Sequence, residues 1–149
     1  MTNAYKDVED ENPAQLQMLM AFLASVNDQM INLAIELRTK PAVKTATRGC
    51  DVRKYRDAFR FDDKALYAFE AYLETETHSG YLVCWLVDIN CALSGWELNL
   101  AITRRRKSED NDETTTFSEV RAASFAEFVS LVSGTMNAFV ESARSYDFP

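Results

Sequence analysis

The chain has 149 residues, of which 47% are apolar, 11% aromatic and 26% charged. That is the make-up of one compact domain able to bury roughly two-thirds of its unfolded surface without disulfides or a structural metal. Its four glycines, Gly49, Gly80, Gly95 and Gly134, lie far apart, which excludes a glycine-rich phosphate loop. Sixteen Lys plus Arg against 23 Asp plus Glu leave a net charge of -7, which opposes general attraction to nucleic acid or anionic lipid.

Residues 1–11 are polar and acidic and read as a flexible leader, with residues 12–149 forming a single domain. Lys6 is followed by Asp7, Glu9, Asp10 and Glu11, the opposite of a basic secretory start. No apolar run reaches the length of about 18 residues that a membrane-spanning helix needs. The expected location is the cytoplasm. Asn12 and Pro13 open a helix, Asn as N-cap and Pro at the first helical position. Leu16, Leu19, Leu23, Val26, Met30, Leu33 and Leu37 then recur at helical spacing until Pro41 disfavours continuation. Met18, Met20, Phe22 and Ile31 widen the apolar face and predict cover by more than one neighbour. Few charges flank the stripe, which favours packing inside the domain over a coiled coil.

Residues 41–60 have no clear period and read as a loop, with a short element near Val52 to Phe61. Between residues 38 and 60, eight bases meet only Asp51 and Asp57, so this segment carries +6 and the remainder -13. A solvated basic connection is the plain reading. The sharper one is a docking segment, with Arg48, Arg53, Lys54 and Arg56 as its candidates.

Tyr67 to Glu74 alternates as a half-buried strand, although Leu66, Phe69 and Leu73 also fit a helix. Thr75 to Gly80 supplies a hairpin turn into Tyr81 to Ile89, which is apolar on both faces and therefore central. After a turn at Asn90 to Gly95, Trp96, Leu98, Leu100 and Ile102 point one way and Glu97, Asn99 and Thr103 the other. A hairpin tip sets Arg104, Arg105, Arg106 and Lys107 against Glu109, Asp110, Asp112 and Glu113, which predicts mutual neutralisation. The threonine-rich stretch from Thr114 to Ala122 suits an edge strand. Ser124 and Glu127 form a capping box for a last helix, with Phe125, Val129, Val132, Met136, Phe139 and Ala143 on one face. The fold class is α+β: a four- to five-stranded antiparallel meander packed against long amphipathic N-terminal and C-terminal helices.

Chemistry-bearing clusters are sparse. His78, the single histidine, falls at a turn, and no partner follows from spacing. Cys50, Cys84 and Cys91 lack C-x-x-C spacing; Cys84 reads as a small core hydrophobe, and with His78 the set does not match zinc chelation. No catalytic residue, cofactor or metal is expected. Glu70, Glu74 and Glu76 alternate along one face of what reads as an edge strand and, with Asp88 and Glu97, are the candidate partner-binding residues. Asp88 and Asn90 lie near a strand end, where clefts form. Tyr67, Tyr72, Tyr81, Trp85 and Trp96 make the sheet aromatic, as a core or a recognition face.

The strand pair Gly80-Tyr81-Leu82-Val83-Cys84-Trp85-Leu86-Val87-Asp88-Ile89 and Trp96-Glu97-Leu98, with the closing helix from Ser124, resembles in element order the small acidic immunity proteins that neutralise bacterial toxins. The likeness covers about the last ninety residues and includes no diagnostic motif. It implies a cytoplasmic inhibitor whose acidic side chains face a toxin's basic cleft. Three readings follow: a non-enzymatic inhibitor of this type, a chaperone for a secreted effector, and a small enzyme or ligand-binding domain near Asp88, Glu97 and His78. The expected partner is another protein, toxin or effector, rather than nucleic acid or membrane, and the chain is a monomer or homodimer.

Overall fold

The computed structural model describes residues 13–54, 65–92 and 95–149. Helix α1 (Pro13–Leu37) is followed by strands β1 (Val43–Lys54), β2 (Ala65–Thr77), β3 (Tyr81–Ala92), β4 (Gly95–Arg106) and β5 (Glu113–Ala122), and then by helix α2 (Phe125–Arg144). The class is α+β: a five-stranded sheet of order β1-β2-β3-β4-β5, antiparallel throughout, with one N-terminal and one C-terminal helix. No helix among the described residues is long and apolar enough to cross a membrane. The acidic leader, Asn12 and the segment 55–64 lie outside the described residues.

Both helices lie on the same face of the sheet, and alternation along the strands decides which side chains they cover. Val83, Trp85, Val87 and Ile89 of β3 point at the helices and are buried, as are Leu98 and Leu100 of β4 and Phe69, Ala71 and Leu73 of β2. From α1, Leu23, Val26, Met30, Leu33 and Leu37 meet them; from α2, Phe125, Phe128, Val132, Met136 and Phe139 do so. Each such side chain contributes about 1.5–3 kcal/mol of burial. Aromatic contacts fix the packing, Phe117 meeting Phe139 edge-on at 5.3 Å and Trp96 tilted against Phe125 at 5.0 Å. Ser124 caps α2 by accepting a hydrogen bond from the Glu127 amide at 3.3 Å.

Past α2 the chain folds back over the core. Tyr146 and Phe148 set their rings 5.3 and 5.8 Å from Trp85, and Ser79 Oγ donates to the Pro149 carbonyl at 2.6 Å. Trp85 Nε1 is buried with no hydrogen-bond partner among the described residues. A clamp joins the helix ends: Arg144 donates to both Glu36 carboxylate oxygens, at 2.6 and 3.0 Å, and also pairs with Glu141.

Several expectations change. Residues 43–54 form an edge strand rather than a loop, and the register shift between Val43 and Thr45 explains the missing period. It brings both Val43 and Ala46 inward, three residues apart, which no strict alternation allows. β2 is an interior strand, between β1 and β3, and runs on to Thr77, so the turn is confined to residues 78–80, where Gly80 adopts φ 91°. β3 extends to Ala92, so the turn expected from Asn90 onward starts later, and residues 93–94 lie outside the described residues. Met18 and Met20, expected to be covered, are 59% and 51% exposed: two residues apart, they fall on opposite flanks of the buried stripe of α1.

Candidate binding face

The helices cover one face of the sheet and leave the other open. On that open face the register assembles side chains that are far apart in sequence. Asp51 lies opposite Glu70, Glu70 opposite Asp88, Asp88 opposite Asn99, and Asn99 opposite Glu119. One residue from each strand thus builds a row of four carboxylates and an amide, spanning about 20 Å at the usual strand spacing. The neighbouring row is Gly49, Tyr72, Leu86, Ala101 and Thr116, less polar and without charge. Tyr72 is 45% exposed, and its ring lies over Gly49, where a Cβ would come within 2.5 Å of Tyr72 Cε1. Glycine here is what lets the tyrosine lie flat across the edge strand.

Crowding marks the electrostatics of this face. The Asp88 carboxyl is raised above the ordinary aspartate range, first by partial burial and then by the charge of Glu70 beside it. Cys84, expected in the core, instead projects from β3 onto the open face and donates to Glu74 Oε2 at 3.6 Å. Burial and the Glu74 charge push its thiol up to about 11, so it stays protonated and is a poor nucleophile at neutral pH. The β3 sequence is apolar on both faces, so nothing in it distinguished inside from outside.

The remaining candidates separate clearly. Glu70, Glu74 and Glu76 do share one face of β2; Glu76 is held below the usual glutamate range by its hydrogen bond to Lys107 at 3.0 Å. Glu97 accepts from Asn99 Nδ2 at 2.6 Å and faces Arg121 at 3.7 Å, one row beyond the carboxylate row. His78 is exposed at the β2–β3 turn, at the opposite end of β3 from Asn90, which pairs with Glu97. Nine residues of strand separate them, about 30 Å, so His78 and Glu97 cannot act on one group. Arg48 projects to the helix side, where Nη1 donates to Asn27 Oδ1 at 3.2 Å. The side chains of Arg53 and Lys54, and all of Arg56, lie outside the described residues.

Asp51, Asn99 and Glu119 were not singled out by sequence, because only strand pairing brings them beside Glu70 and Asp88. Among the described residues no three of His, Cys, Asp and Glu converge as an ion-holding group; the carboxylates form a line rather than a cage. A cavity of about 170 Å³ lies on the other side of the molecule, between the helices, lined by Gln29, Asn32, Asn137, Val140, Glu141 and Arg144. No protein-family model, curated protein or solved structure matches the chain.

Proposed function

We propose that this protein is a non-enzymatic binding module, a cytoplasmic inhibitor of the immunity type that covers a basic surface of a toxin with the open face of its sheet. The observation that carries the reading is the carboxylate row Asp51-Glu70-Asp88-Glu119, supplied by four of the five strands with Asn99 of β4 between the last two, beside the exposed ring of Tyr72. A line of acids on a rigid sheet steers and orients a cationic partner, while an aromatic at its margin supplies the anchor that desolvates on contact. The raised Asp88 carboxyl fits this division of labour: carboxylates crowded in the free protein are relieved when a partner's Arg or Lys arrives between them.

The test is capture from the native host with wild-type protein and with the triple variant Glu70→Lys, Glu74→Lys, Glu76→Lys, each checked for native circular dichroism. The expected result is a basic protein retained by the wild type and lost by the variant, toxic when expressed alone and harmless when co-expressed. Equal retention by the variant overturns the assignment of the face. A retained partner that is unfolded and harmless assigns the chaperone role instead.

A further inference from the structure

The four consecutive bases Arg104 to Lys107 end β4, and strand alternation splits them between the two faces. Arg105 and Lys107 turn to the open face, where they meet acids: Arg105 Nε lies 3.2 Å from Asp112 and Lys107 Nζ 3.0 Å from Glu76. Arg104 and Arg106 turn to the helix side and form no ion pair among the described residues. Both guanidinium groups instead stack on one ring, their carbons 4.9 and 5.2 Å from the centroid of Tyr81. The hydroxyls of Tyr146 and Tyr81 lie close enough to Arg104 to favour its charged form. Neither Glu113, opposite Arg104 in the register, nor Asp147, next to Tyr146, makes an ion pair with them. Two cations that form no ion pair among the described residues are thus held beside two phenols in a protein of net charge -7.

We propose that Arg104, Arg106, Tyr81 and Tyr146 form a binding site for a compact oxyanion of the phosphate class, on the face of the sheet opposite the carboxylate row. Two guanidinium forks offer parallel N–H donors matched to tetrahedral oxyanion geometry. A phenol hydroxyl beside Arg104 has its own proton to donate to the anion. A dianion balances both arginines, which a single carboxylate does not. The Tyr81 ring holds the forks in place before the anion arrives, which lowers the ordering cost of binding.

The experiment titrates inorganic phosphate against chloride at constant ionic strength, followed by calorimetry and by tryptophan fluorescence, since Tyr146 rests on Trp85. A second arm uses vesicles containing phosphatidic acid, to separate a lipid headgroup from a soluble phosphate. The expected result is a saturable response in one arm, weakened about tenfold per arginine and so about a hundredfold in Arg104→Gln/Arg106→Gln. Arg105→Gln, on the other face, retains wild-type affinity. Arg104→Lys/Arg106→Lys keeps the charge and loses the forks; it gives an intermediate affinity and serves if the glutamine variant fails to fold. No saturable response in either arm, or equal weakening by Arg105→Gln, overturns the site. The Arg104 and Arg106 variants leave the carboxylate face untouched, so their result is independent of toxin capture.

Discussion

Replacing Asp88 by Asn separates what the carboxylate row costs the fold from what it does for binding. Asp88 and Glu70 lie directly opposite on neighbouring strands, and like charges in that relation destabilise by about 0.2–1 kcal/mol. Removing one of the two charges at pH 7 therefore stabilises the domain by about 0.2–1 kcal/mol, a rise of up to roughly 4 °C in melting temperature for a chain of this size. The sign of the pH dependence follows from the raised folded-state carboxyl. Asp88 contributes stability in its protonated form, present below the ordinary aspartate value of about 3.9 and lost as pH rises through the higher folded value. The advantage of Asp88→Asn is therefore full at neutral pH and closes on acidification. Thermal melting at pH 7 and pH 3 reads both quantities, and partner capture reads the third, which falls. An Asp88→Asn protein no more stable than wild type at pH 7, or one whose advantage persists at pH 3, refutes the account of the crowded row.

Two further predictions concern the core and the thiols. Val132→Asp places an unpaired charge at a fully buried site under the sheet and abolishes the cooperative melting transition, whereas native circular dichroism and melting in that variant refute the packing of α2. At pH 8.5 the Cys84 thiolate is about a hundredfold scarcer than for an ordinary cysteine, so iodoacetamide labelling followed by peptide mass spectrometry shows it lagging until urea is added, and Glu74→Gln speeds it. Equal labelling rates in folded and unfolded protein contradict its placement.

The elements legible in the sequence are those whose period survives intact. Leu23, Val26, Met30, Leu33 and Leu37 mark α1, Ser124 marks the start of α2, and the doubly apolar run from Tyr81 marks the central strand. β1 escapes because it is an edge strand with a bulge: Val43 and Ala46 are its buried apolar residues among those with described side chains, and they break the alternation. Glu70, Glu74 and Glu76 are candidates from their alternation within one strand, and Asp88 from its place near the expected strand end. Their alignment with Asp51 and Glu119 depends on pairing register, which no single strand encodes. The same limit hid the split of Arg104 to Lys107: sequence proximity predicted neutralisation of most of the cluster, while the pleat sends two of the bases to the helix side, where neither forms an ion pair among the described residues.

The carboxylate row also polices assembly of the sheet. Four of the five strands contribute one acid each at one height, so such a strand zipping up a single residue out of step turns its acid toward the helices, whose side holds Trp85, Leu98 and Phe139. Such a misfit strands a bare charge in hydrocarbon, at a cost comparable with the whole stability of a small domain. The acids that furnish the outer surface thereby act during folding as a proofreading code, rejecting slipped hairpins that threonine-rich strands would otherwise tolerate.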